Sequence, residues 1–187
     1  MDELVDVVDS NDAPTGKKKE KILVHRDGDW HRVSHVWIVI PGGYLLCQKR
    51  SNIKIHYSGV WDVIHGGHVK TGSNYLETAI EELKEEIGLN VNSKDLIDLG
   101  LYKVDNSDGK YRFRDVCQAF MLIYKGKLDD LKIDNDEVSE LKIFDIDELS
   151  ELVHNPKTKN MFLPGIVQMP YFDVAIKRIK EIIGIPQ

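Results

Sequence analysis

The carboxylates between residues 74 and 87 are the side chains best placed to do chemistry. Wound at about 100° per residue, Glu82, Glu85 and Glu86 fall at spacings of three and four and share one flank of a helix. Glu77 and Glu81 lie elsewhere, and Lys84 is the cation among them. Leu76, Ala79, Ile80, Leu83 and Ile87 form the stripe beside that flank, which must face a sheet. A solvated acidic face is the ordinary explanation of such a run. Two local energies oppose it. Glu82 with Glu86, and Glu81 with Glu85, are like-charge pairs one turn apart, each unfavourable by roughly 0.2–0.5 kcal/mol. Glu85 and Glu86 also occupy the last turn, where the helix dipole disfavours anions by a further ~0.3–1 kcal/mol each. A divalent cation would reverse the sign of all these terms, because carboxylate oxygens are the ligands Mg²⁺ prefers.

The elements around this helix must hold it in place. Asn74 and Glu77 form a capping-box pattern at its start, and Gly88 supplies a left-handed stop. Before it runs His65-Gly66-Gly67-His68, leaving a strand for a loop; paired glycines permit close backbone approach, and a carbonyl there could join a metal's shell. Strands are expected at 4–8, 30–40, 44–48, 60–64, 96–104, 116–124 and 141–144, with Pro41-Gly42-Gly43 turning one hairpin. Residues 9–16 carry turn chemistry, 17–21 form a charge cluster read as solvated surface, and 105–110 read as a turn. Shorter helices are expected at 145–153 and 173–183. This order argues for a mixed α+β or α/β sandwich.

The chain has 187 residues, which fits one domain. A formal net charge of -6 creates no global field for nucleic acid. No apolar run approaches the ~20 residues that cross a bilayer, and the acidic start Met1-Asp2-Glu3-Leu4 has no signal-peptide pattern, so a cytoplasmic protein is expected. Cys47 and Cys117 each sit in apolar stretches and read as buried free thiols of a reducing compartment.

Residues 66–89 resemble the Nudix box, G-x5-E-x7-R-E-U-x-E-E-x-G-U, where U is a bulky aliphatic residue. Gly67, Glu82, Leu83, Glu85, Glu86, Gly88 and Leu89 stand in register. Ser73 replaces the first glutamate and Glu81 the arginine. The likeness extends over about residues 30–155, through Leu45-Leu46-Cys47-Gln48-Lys49-Arg50, Gly59-Val60-Trp61-Asp62, Asp136-Glu137-Val138-Ser139-Glu140 and Asp147-Glu148-Leu149. It implies a mixed β-sheet sandwiched between helices, the box forming a loop–helix–loop, with an N-terminal extension over 1–29 and a helical C-terminal extension over 156–187. Pro14-Thr15-Gly16, His25, His31 and Gly67-His68 further resemble the layout of type I isopentenyl diphosphate isomerases and the Nudix hydrolases related to them.

By that resemblance the chain is a metal-dependent hydrolase of the diphosphate linkage in a nucleoside diphosphate-type compound. Glu85 and Glu86 would hold Mg²⁺ or Mn²⁺ with the Gly67 carbonyl. Glu82 would be a further ligand or orient the attacking water. Glu137, ahead of Glu140, would be the base, and Lys49 and Arg50 would contact phosphate. His25, His31, His68 and Asp115 are counted toward a second metal site, as in the isomerases. Ser73 and Glu81 raise a different reading, a binding module with impaired catalysis. Isomerisation is disfavoured because the isomerase cysteine falls at Gly66. The expected partner is a small-molecule diphosphate, with neither nucleic acid nor membrane. The apolar helix face within 161–187 needs cover from the domain itself or from a second copy in a homodimer.

Overall fold

The structure is a computed structural model that describes residues 3–54, 57–164 and 171–186. Part of the C-terminal extension, 165–170, therefore lies outside the described residues. Strand β3 (Trp30–Ile40) organises the sheet. Its run Val36-Trp37-Ile38-Val39 is buried on both faces, the pattern of a strand covered on two sides. Along one edge it pairs in parallel with β8 (Tyr111–Ile123), from Trp30 opposite Arg114 to Val39 opposite Ile123. Its other edge is divided among three antiparallel partners. Val7 and Val8 of β1 (Leu4–Val8) take the first part, β6 (His65–His68) the middle, and Tyr44 to Leu46 of β4 (Tyr44–Arg50) the last. β4 continues past β3 to pair with β5 (Trp61–Asp62), and its far edge carries β9 (Val138–Asp145). β7 (Leu96–Asp108) pairs antiparallel with β8. The sheet thus forks where β6 and β4 leave β3.

Helices cover both faces. α2 (Tyr75–Ile87) lays Ala79, Leu83 and Ile87 on Val36, Ile38, Leu46, Phe120 and Leu122. On the opposite face α3 (Ile146–His154) and α4 (Phe172–Ile183) bury Leu149, Val153, Phe172, Ala175, Ile176 and Ile179 against Trp37, Val39, Cys47, Cys117 and Met121. The expected mixed sheet between helices is what forms, and the apolar face of α4 is covered by this domain. Cys47 and Cys117 are both free and buried.

Several local expectations need correction. The turn and charge cluster at 14–20 is strand β2 (Pro14–Glu20), paired with β1 and exposed along nearly its whole length. A further helix, α1 (Lys21–Asp27), follows it and ends at Gly28 in the left-handed conformation. Glu20 makes no side-chain cap and the first turn holds no acid, so the ordinary start signals are absent. The stretch 105–110 is mostly strand, because β7 and β8 run on together to Asp108 and Tyr111. The expected strand over 60–64 ends at Asp62, and His65–His68, read as the exit into a loop, is strand β6.

Candidate active site

β6 is only four residues long, yet its alternation serves two faces of the sheet. His65 and Gly67 meet carboxylates of α2, whereas His68 meets His25 of α1. Two polar clusters therefore form on either side of this strand.

The first cluster belongs to α2. Its start is fixed by the expected capping box: Asn74 Oδ1 accepts from Leu76 and Glu77 N–H at 3.0 Å each, while Glu77 accepts from the Asn74 N–H at 3.2 Å. Ser73, where the box has glutamate, donates its hydroxyl to Glu77 at 3.2 Å and so supports the cap. Gly88, at φ 68°, returns its N–H to Lys84, and Leu89 N–H to Leu83. The helix end is then stitched to the loop before β9: Lys132 N–H donates to the Ile87 carbonyl and Asp134 N–H to that of Glu86, at 2.9 Å each. That loop carries Glu137.

Glu82 lies against Gly67 so closely that a side chain there would run into its carboxylate. Burial, then Glu86 and Glu85, push the Glu82 carboxyl up to about 7. Glu86 is 7% exposed and Glu85 is exposed. Gln48 on β4 sends its amide nitrogen to both Glu86 oxygens, at 3.2 and 3.3 Å, and to the Ile64 carbonyl at 3.0 Å. His65 Nδ1 stands 3.5 Å from Glu86 Oε2. His65 Nε2 faces the Leu46 carbonyl at 3.3 Å. Asp62, opposite Gln48, is buried, and burial raises its carboxyl to about 6. Glu81 faces solvent. Burial works against the Lys70 ammonium, yet Glu85, Glu3, Glu82 and Glu81 outweigh it and raise its pKa, so Lys70 is a cation that faces this flank.

The second cluster joins α1, β3, β6 and β8. His25 Nε2 lies 3.3 Å from His31 Nε2 and 3.1 Å from His68 Nε2. His31 is fully buried; its Nδ1 faces the Asp29 carbonyl at 3.2 Å and its Nε2 faces Asp115 Oδ1 at 3.2 Å. With Nδ1–H donated to that carbonyl, Nε2 is a lone pair facing a carboxylate oxygen. Burial lowers His31 to about 4 and raises Asp115 to about 7, and it holds His68 well below the ordinary histidine range. Three imidazole nitrogens within 4.8 Å of one another, beside the half-buried Asp115 carboxylate, have the donor set of a metal centre. Phe113 packs on His25 with ring centroids 4.8 Å apart.

The remaining candidates flank the fork. Lys49 pairs with Glu140 at 3.5 Å and lies 5.7 Å above the Trp61 ring. Arg50 donates Nε–H to the Tyr57 carbonyl at 3.1 Å. Glu137 is held by Lys54, and its carbonyl accepts from Ser51 N–H at 2.9 Å. The loop of Glu137 is thereby tied to the end of β4 as well as to α2. Gln48, His65, Asp62 and Lys70 were not singled out from sequence. A glutamine following Leu45-Leu46-Cys47 in a buried strand was the one available signal, since a buried amide needs partners.

The sequence pattern of the NUDIX domain matches residues 29–163. The chain belongs to the Nudix hydrolase family. It is 32% identical over 169 residues to a Nudix hydrolase of Clostridium acetobutylicum, covering 89% of this chain and 81% of that one. It is likewise 32% identical over 146 residues to an isopentenyl-diphosphate Delta-isomerase of Pectobacterium atrosepticum, covering 78% of each. Among solved structures, a Deinococcus radiodurans protein shares the fold with a TM-score of 0.71 at 16% identity, covering 89% of this chain and 96% of that one. The matched residues take in the α2 cluster and His31, His68 and Asp115 of the second, while His25 lies ahead of them. No helix among the described residues is long and apolar enough to cross a membrane.

Proposed function

We propose that this Nudix protein hydrolyses the diphosphate linkage of a nucleoside diphosphate-type small molecule, using Mg²⁺ or Mn²⁺ held by the Gly67 carbonyl, Glu82, Glu85 and Glu86. The observation that carries this reading is Glu82 packed against Gly67, with burial and the neighbouring Glu86 and Glu85 displacing its carboxyl to about 7. Like charges held this close destabilise a fold unless a cation joins them. The ion would neutralise charge developing on the diphosphate and acidify the attacking water. Glu82 orients that water, and Glu137, on the loop stitched to the end of α2, takes its proton. Lys49 and Arg50, at the end of β4, hold phosphate oxygens. Ser73 and Glu81 fit this scheme: one supports the helix cap, the other turns its charge to solvent.

His25, His31, His68 and Asp115 complete the proposal as a second metal centre. Imidazole nitrogens suit a borderline transition ion such as Mn²⁺ better than Mg²⁺. The histidines resemble the isomerase arrangement, but isomerisation finds no support at Gly66. Its φ is 149°, and a side chain built there would run into the Ser34 carbonyl oxygen. A cysteine cannot be seated without moving β3.

The deciding assay is phosphate or nucleotide release by the purified protein over a panel of nucleoside diphosphate-linked compounds with Mg²⁺ or Mn²⁺. Turnover that vanishes in Glu85→Gln and Glu86→Gln is expected. A protein that takes up metal but turns over none of the panel would retire the hydrolase in favour of a binding module.

A further inference from the structure

In the box that this chain resembles, an arginine anchors the neighbouring carboxylates; here that position is Glu81, which faces solvent. Something else must hold Glu86. Its carboxylate is 7% exposed, sits in the last turn of α2 where the dipole disfavours it, and finds no Lys or Arg within ion-pair distance among the described residues. A buried carboxylate without donors costs several kcal/mol, on the order of the penalty for an unsatisfied charged group. The donors come from across the sheet. Gln48 is 4% exposed, and its amide nitrogen has two hydrogens: one goes to the Ile64 carbonyl, the other is shared between the two Glu86 oxygens. Both neighbours are acceptors, so the amide nitrogen must face them and the orientation of the group is determined. The Ile64 carbonyl, one residue before His65, keeps the amide from turning away. Gln48 Oε1 is buried without a hydrogen-bond partner, an acceptor left over beside the carboxylate.

We infer that Gln48 is a positioning residue for the metal-binding carboxylate of Glu86, doing with a neutral amide what the box assigns to its arginine. The inference rests on the proposed metal role of the α2 flank. Its physical content is the difference between the two kinds of anchor. A guanidinium fixes a carboxylate and offsets its charge. An amide fixes it and leaves the full negative charge for a cation, which matters in a chain whose loop has lost one box glutamate at Ser73. Groups that orient a metal ligand from behind typically change affinity by about 10–100-fold when removed.

The test titrates Mn²⁺ by calorimetry into the full chain carrying His68→Asn, so that the histidine cluster lacks a ligand and the α2 flank is read alone. Adding Gln48→Met, which keeps length but removes the amide, is expected to weaken Mn²⁺ about tenfold or more. Gln48→Asn keeps an amide but withdraws it by one methylene, and serves if methionine prevents folding; a loss of about threefold or more is expected from it. A merely structural glutamine would lower the melting temperature in chelator and leave the affinity of the folded protein where it was. That result overturns the inference. Glu86→Gln is the control. If it too binds Mn²⁺ like its parent, the flank is not the metal site and the inference falls together with the reading it rests on; if only the Gln48 variants are unchanged, the inference alone falls.

Discussion

The two polar clusters beside β6 are built by different rules. The α2 flank is local: its carboxylates come from one helix, their convergence follows from helical spacing, and Glu85 remains in solvent. The histidine cluster is assembled from four elements spread from His25 to Asp115, and His31 at its centre is fully dry. A local cluster tolerates loose geometry because water and Lys70 can compensate for it. The histidine cluster, with His31 buried at its centre, depends on its members being brought together. The comparison teaches that carboxylate chemistry can be written in a short stretch of sequence, whereas imidazole chemistry here depends on the whole fold.

The largest expected effect separates their roles. Glu86→Gln should cut diphosphate hydrolysis about a hundredfold or more, since a metal's electrostatic contribution is worth several kcal/mol and each 1.36 kcal/mol is about tenfold. His68→Asn should cost the transition ion at the second cluster about tenfold or more in affinity, measured by Mn²⁺ titration, while Mg²⁺-supported hydrolysis falls less than in Glu86→Gln. Equal losses of hydrolysis in the two variants would break the division of labour.

A pH experiment on the chelator-treated protein comes next. Glu82 and Asp115 have carboxyls raised to about 7, above their ordinary values of 4.5 and 3.8. A raised acid favours the folded state fully below its unfolded pKa, and that advantage is lost as pH rises through the folded one. The contribution of Glu82 and Asp115 to metal-free stability should therefore fall between about pH 4 and 7, whereas His31 and His68, held low by burial, contribute the opposite slope over much of that window. Glu82→Gln removes one of the falling contributions, so its metal-free melting temperature should rise more with pH than the parent's, by about 2–4 °C for each kcal/mol. Parallel curves for the two proteins would count against the raised Glu82 carboxyl. The smallest effect is Glu81→Arg, which relieves the repulsion of Glu85 on an exposed face. A gain of roughly 0.2–0.5 kcal/mol in chemical denaturation is expected.

Most of the fold was legible where periodicity and caps agree. α2 was readable to within a residue because Asn74, Glu77 and Gly88 mark its ends and five apolar residues mark its face. The strands β3 and β8 announced themselves through long apolar runs. α1 and β2 did not, because helix start signals are absent and a lysine-rich strand at a sheet margin looks like any solvated run. At the site, Glu82, Glu85 and Glu86 followed from helical spacing, and the histidines were proposed from a layout. Gln48 could not be found from spacing, because its partner lies 38 residues away and only the pairing of β4 across the fork brings the two together.

β2 has one further consequence. Among the described residues it pairs only with β1, so its outer backbone groups face water, a template on which a second chain could add a strand. Lys17 and Lys18, exposed, stand on opposite faces of that margin. Two copies docking margin to margin would bring ammonium groups together, and like charges set opposite each other oppose pairing by roughly 0.2–1 kcal/mol for each pair. The lysines act as gatekeepers against aggregation, and neutralising them should make the protein sticky at high concentration long before it makes it unstable.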